Sequence, residues 1–210
     1  MIITISGLPG SGKSTVAGIL KKKLGWDYVY TGALFRKMAQ EHGMTLEQFG
    51  SFCESHPEVD KELDARQLEI AKASKNMILE GRMAGNLVFA ERKRQGFNKN
   101  NTGEAKHLVF AERKNNKLDA LTVWLDAPIE TRVKRIMKRE SGSFEQRLAE
   151  AKKRETSEAA RYKKYYGVDL YDKKAYDLVI DVSKISAEQA AEIILKKASM
   201  VKNIKAGKHT

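Results

Sequence analysis

The sequence predicts an α/β fold in which a parallel sheet of five strands lies between helical layers. Three observations carry that reading. Short apolar, β-branched runs alternate with amphipathic helical patterns, the order that builds parallel sheets. A glycine-rich segment, GLPGSGKST, links the first strand pattern to the first helix pattern. Finally, Gly7, Thr31, Glu80 and Asp126 stand at the carboxyl ends of strand patterns, where open α/β sheets bind ligands.

Taken in order, Ile2 to Ile5 reads as a short buried strand. Val16, Ala17, Ile19, Leu20 and Leu24 follow at helical spacing. Trp26 to Tyr30 is aromatic and β-branched, a second strand, and Leu34 to Glu41 a second helix. Glu58 to Ala73 is helical, Asn76 to Glu80 a third strand, and Leu121 to Leu125 a fourth. Ile129 to Lys138 and Phe144 to Tyr165 are helical, Asp177 to Asp181 is the fifth strand, and Ala187 to about Met200 closes the fold as a helix. The 210 residues suit one domain over 1–200 with a polar tail over 201–210. One irregularity interrupts this order. LVFAERK occurs at Leu87–Lys93 and again at Leu108–Lys114. Two copies are too few for a stacked repeat, so 87–115 reads as a duplicated insertion before the fourth strand. Its first copy continues a helix begun after Arg82.

The chain carries 39 Lys and Arg against 27 Asp and Glu, a net charge of +12. That excess favours polyanionic ligands. Aromatic-rich RNA-binding strands are missing, so the charge points to nucleotides and a solvated Lys/Glu surface, with no stable nucleic-acid partner. A single cysteine, Cys53, rules out a disulfide framework and suits a reducing cytoplasm. The first residues form a strand and phosphate loop instead of a signal peptide. No apolar run reaches membrane-spanning length.

Gly7, Gly12, Lys13 and Ser14 fit G-x-x-x-x-G-K-[ST] between a strand and a helix, the setting that motif needs. Glycines let backbone N–H groups wrap around phosphate oxygens, and the helix N-terminus adds its dipole. Lys13 is placed to reach the β- and γ-phosphates, with the Ser14 hydroxyl on Mg²⁺. In YTGALFR, Thr31 reads as an N-cap that, with Gly32, opens a second anion seat. Arg36 lies about one turn further on and suits bidentate phosphate binding. In LEGR, Glu80 can hold a metal-bound water at a strand tip. Gly81 allows close approach, and Arg82 enters the cleft. Arg135 and Arg139 share a face of one helix, while Arg147, Arg154 and Arg161 recur every seven residues on the next, with Glu158 among them. Planar, always-charged guanidiniums suit phosphoryl transfer, which is mostly positioning and charge neutralisation.

Asn116-Lys117-Leu118-Asp119 fits the guanine-reading N-K-x-D pattern. It precedes a strand pattern instead of following one, and no D-x-x-G lies between it and the phosphate loop, which argues against a GTPase. A basic ATPase linked to RNA stays as a rival class.

The motifs ISGLPGSGKST, YTGALFR, LDARQLEIAK, LEGRMAG, RETSEAARYKKYYGVD and YDLVI resemble those of nucleoside monophosphate kinases, and more narrowly of archaeal-type cytidylate kinases. The resemblance spans Met1 to about Lys197 apart from the insertion. It implies a P-loop NTPase fold, three-layer α/β/α, with a helical monophosphate-binding region over 31–75 and a helical lid over 139–165. It implies transfer of the ATP γ-phosphate to CMP or dCMP with Mg²⁺; a monomer is the expected form. By position, Gly7, Leu8, Pro9, Gly10, Ser11, Gly12, Lys13, Ser14 and Thr15 would hold ATP, with Ser14 and, through water, Glu80 at the metal. Thr31, Gly32, Arg36, Arg82 and Glu158 would hold the acceptor. Lys13, Arg135, Arg139, Arg154 and Arg161 would act on the transferring phosphoryl group. Bacterial cytidylate kinases carry a base-reading Asp after the LEGR-like arginine, where this chain has Met83. Base reading then falls to Asp60, Asp64, Arg66 or Gln67. Kinases of AMP, UMP, dephospho-coenzyme A or shikimate share the loop and stay open.

Overall fold

The computed structural model describes residues 1–89 and 119–206. The second LVFAERK copy and Asn116 to Leu118 lie outside them. In β1 (Ile2–Ser6) the side chains alternate. Ile3 and Ile5 face one core, while Thr4 and Ser6 face the other side of the sheet. The chain then enters α1 (Lys13–Leu24), β2 (Asp27–Tyr30), α2 (Thr31–Glu41), α3 (Leu46–Cys53), α4 (Pro57–Ala73) and β3 (Met77–Glu80). Residues 84–89 are helical, in agreement with the expected start of the first copy. After the undescribed segment come β4 (Ala120–Asp126), α5 (Ile129–Met137), α6 (Phe144–Tyr166), a short 3₁₀ turn, β5 (Leu178–Asp181) and α7 (Ala187–Ala206).

The five strands run in the order β2-β3-β1-β4-β5, every neighbour parallel. That is the predicted sheet, flanked by helices on both faces. On one face Val16, Ala17 and Leu20 of α1 and Ala190, Ala191 and Ile194 of α7 pack on Ile3, Ile5, Leu121, Val123 and Leu125. Each large side chain buried there stabilises the fold by roughly 1.5–3 kcal/mol. The adjacent parallel strands β3, β1 and β4 all end at one edge of the sheet, so the turns that follow them meet.

Two expectations need correcting. The helix α3 escaped the sequence reading although Thr45 and Gln48 form a capping box, with Gln48 N donating to Thr45 Oγ1 at 3.2 Å. The tail expected from 201 is helical as far as Ala206.

Candidate active site

The turn after β1 is shaped by left-handed glycines, Gly10 at φ 77° and Gly12 at φ 93°. A Cβ on Gly10 would run into the backbone of Arg132, so only glycine lets the loop seat on α5. Gly12 caps α1 without any side-chain bond, which leaves the first N–H groups of the helix open to an anion. Lys13 folds back, and its Nζ donates to the Leu8 carbonyl at 2.9 Å. Burial first, and Arg82 next, lower the Lys13 ammonium to about 7. A phosphate beside it would reverse that shift.

A cleft of about 710 Å³ opens over this loop. Pro9 to Thr15 line it, together with Thr31, Gly32, Arg36, Glu80, Arg82, Arg135, Arg139, Arg154, Glu158 and Arg161. The structure thus brings most of the candidates named from the sequence into one space. Nine cationic side chains against five carboxylates line the cleft, which suits a polyanion. Gly7 and Leu8 differ from expectation. Gly7 lies against the Leu125 carbonyl, and the Leu8 side chain packs on Trp124 and Leu170, so both form the floor of the loop. Asp126 also stands at a strand tip but holds Lys173.

Ser14 Oγ donates to Glu80 Oε1 at 2.7 Å, and the Tyr28 hydroxyl donates to Glu80 Oε2. Burial, then the bond to Glu80, raise the Tyr28 phenol, so it stays protonated. A hydroxyl and a carboxylate side by side at the phosphate loop are hard oxygen donors, the set a nucleotide-bound divalent cation requires. Thr31 does not cap α2. That helix begins at Thr31 itself with Tyr30 as N-cap, and Thr31 Oγ1 donates to Gln67 Oε1 at 2.7 Å.

The arginines divide by partner. Arg82 is paired with Glu158, and burial first, Arg154 second, lower it to about 9. Arg154 Nε reaches the same carboxylate at 3.0 Å. Arg161 is buried against Asp60, Nε to Oδ2 at 2.8 Å. Arg135 is turned to backbone, donating to the carbonyls of Ser11 and Val182, so it braces the loop in this state. Arg139 stands exposed at the rim, and Arg36 lies over the Tyr30 ring with 4.9 Å to the centroid.

Arg132 was only one of a run of arginines in the sequence, yet it is 4% exposed and central. Its Nε donates to the Ala127 carbonyl at 3.0 Å, its Nη1 to the Pro9 carbonyl at 3.1 Å, and the guanidinium pairs with Glu155 of α6. It ties the phosphate loop to α6. No spacing rule separates it from Arg135. Of the suggested base readers, Arg66 points to Glu62 and Glu41, Gln67 holds Thr31, and Asp64 accepts from Tyr166 at 2.8 Å. Asp60 alone of the four lines the cleft. Met83 is buried against Leu87, away from it.

A parallel sheet whose first turn leaves helix N–H groups open to an anion, facing a second helical wall of arginines, defines the class of P-loop phosphotransferases. Solved structures agree in fold. A chain from Eubacterium ventriosum described as uncharacterized superposes with TM-score 0.59 at 19% identity, covering 95% of this chain and 98% of that one. Shikimate kinase from Bacteroides thetaiotaomicron gives 0.52 at 15%, covering 95% and 98%. Deoxyadenosine kinase from M. mycoides, solved with dCMP and dCDP, gives 0.51 at 20%, covering 95% and 100%.

Sequence is more specific. The model of the cytidylate kinase-like family matches residues 2–184, and the chain belongs to that family. The cytidylate kinase of Methanococcoides burtonii is 43% identical over 184 residues, 88% of this chain and 89% of that protein. That of Methanocaldococcus jannaschii is 40% identical over 205 residues, covering 98% and 99%. Among the described residues, no helix is long and apolar enough to cross a membrane.

Proposed function

We propose that the protein transfers the γ-phosphate of ATP to CMP and dCMP, giving CDP and dCDP, as a cytoplasmic monomer that uses Mg²⁺. The observation that carries this reading is that one cleft joins an open phosphate loop to buried arginines on two other walls, in a chain of this family. Pro9 to Thr15 would hold the ATP phosphates through backbone N–H groups and Lys13. Arg36 and Arg82 would hold the acceptor phosphate in line. Arg154 and Arg161, with Arg139 from the rim, would neutralise charge on the equatorial oxygens, and Glu158 would turn to the acceptor nucleotide. Ser14 and Glu80 fit Mg²⁺, which when bound neutralises charge on the β- and γ-oxygens. No side-chain base is required, because the acceptor phosphate oxygen is already a nucleophile.

The experiment is ADP release from Mg²⁺–ATP against CMP, dCMP, UMP, AMP, GMP and no acceptor. Rates with CMP and dCMP far above the others are expected. Preference for UMP or AMP would keep the fold and transfer chemistry but replace the acceptor. ATP turnover that ignores every acceptor would reject a kinase in favour of an ATPase.

A further inference from the structure

We propose that Tyr28, outside every motif of this site, is a positioning residue that sets the Glu80–Ser14 pair for the nucleotide's divalent cation. The inference rests on the phosphotransfer reading above.

Tyr28 and Glu80 are brought together by strand register. In the parallel β2–β3 pair, Tyr28 is opposite Ile78 and Tyr30 opposite Glu80, so Tyr28 lies one alternation below the acid on the neighbouring strand. A phenol is long enough to climb that step. The side chain of Glu80 belongs to a residue 1% exposed, and its two oxygens have different partners. Oε2 accepts from Tyr28 and Oε1 from Ser14.

The consequence is directional. A serine hydroxyl that ligates a cation must turn its proton away from it. Glu80 Oε1 takes that proton, which leaves the Ser14 lone pairs free for the phosphate side of the loop. Glu80 can do so reliably only if its own carboxylate is held. Tyr28 holds it from behind, by the oxygen that the loop does not use. Without the phenol, a buried carboxylate oxygen loses its donor. The carboxylate then rotates or recruits Ser14 differently. Groups that orient metal ligands in this way typically change metal affinity by about 10–100-fold when removed.

Tyr28→Phe removes one oxygen and keeps the ring. The test uses Mn²⁺ as probe, its binding to the ADP complex of the full-length enzyme followed by electron paramagnetic resonance. Affinity of ADP in EDTA and the melting temperature are measured beside it. The expected result is Mn²⁺ binding weakened about tenfold, with metal-free ADP affinity nearly unchanged and the melting temperature lowered by only a few degrees. Tyr28→Phe in a Glu80→Gln background should add little further loss, since both act through one carboxylate. Mn²⁺ affinity within twofold of the unaltered protein would overturn the proposal. So would a parallel loss of metal-free ADP binding, which marks a merely structural role. If the unaltered protein itself bound no Mn²⁺ with ADP, the phosphotransfer reading would fall first, and this inference with it.

Discussion

The two walls of the cleft are built on different principles. The phosphate-loop wall is backbone on core. Its loop lies between β1 and α1, its floor residues pack on Trp124 and Leu170, and it is braced by Arg132 and Arg135 through carbonyl groups. The opposite wall, where α6 meets α3 and α4, is side chain on side chain. Lys153 meets Glu47 at 2.7 Å, Ser157 meets Glu54, Arg161 meets Asp60, and Tyr166 meets Asp64. Backbone cradles are preorganised and change little on binding. Charged side-chain pairs can exchange partners. Arg82 and Arg161 are already matched with carboxylates, so on the proposed reading the nucleotides' phosphates would compete with Glu158 and Asp60 for them. On that reading the molecule thus joins a fixed donor side to an exchangeable acceptor side.

The comparison is broken most severely by Lys13→Ala. Turnover should fall by about a thousandfold or more, since on the proposed reading the lost ammonium would act on the transferring phosphoryl group. The fold should survive. Lys13 sits near 7 in the empty protein, well below its unfolded value near 10.4, so the unfolded chain binds the extra proton between those values. The buried cation therefore costs stability below pH 7, and that cost is relieved as pH rises to 10. Thermal melts at pH 6 should show the alanine variant at or above the unaltered protein. Turnover within tenfold of normal would refute the role of the loop.

Arg132→Ala tests the bridge between the walls. It strands Glu155 in a buried place and frees the Pro9 carbonyl. Breaking one partner of such a pair costs about 3–5 kcal/mol, roughly 10 °C for a chain of this length. Differential scanning calorimetry reads the loss. A drop under about 2 °C would show that the pair contributes little. Arg132→Lys should recover part of the stability but not the three-way hold, because an ammonium lacks the planar fork.

Arg82→Ala sharpens the contrast from the acceptor side. Acceptor KM should rise about 10–100-fold, and the KM for ATP should move less than about threefold, because one charged phosphate contact is lost on one wall only. Initial-rate kinetics with each substrate varied will separate the two. Equal changes in both would mean that the walls are not independent.

The same division explains what the sequence made legible. The donor side is local. Nine consecutive residues between a strand and a helix carry it, and their backbone demands are visible in the spacing of Gly7, Gly10 and Gly12. The sheet was legible because Ile3 and Ile5 alternate with Thr4 and Ser6. The acceptor side is non-local. Asp60 and Asp64 looked like any exposed acids on a charged helix, and their partners Arg161 and Tyr166 lie about a hundred residues away. Thr31 had the chemistry of a cap, but Gln67 from α4 competes for its hydroxyl. Arg132 and Arg135 are alike in sequence, and only the docking of α5 decides which one is buried. For Tyr28, strand pairing and not chain order brings the phenol to Glu80.

The smallest effect belongs to Asp64, deep in the exchangeable wall. Burial raises its carboxyl to about 7, although the bond from Tyr166 opposes the shift. The folded chain therefore holds a proton between pH 4 and 7 that the unfolded chain gives up. This carboxyl costs the fold nothing below about pH 4 and progressively more as pH rises to 7, above which the cost is constant. Asp64→Asn removes the titration. Its amide oxygen can still accept from Tyr166, while the long 3.4 Å bond from Gln67 is lost, a donor that also has the Leu63 carbonyl. The variant should melt on the order of 5 °C higher at pH 8 and gain less than half of that at pH 5. A uniform shift at both values would mean that packing, not ionisation, governs this contact. A gain markedly larger at pH 8 than at pH 5 would show that α6 and α4 meet across a carboxyl near its midpoint at neutral pH, so that the grip of the exchangeable wall weakens as protons leave.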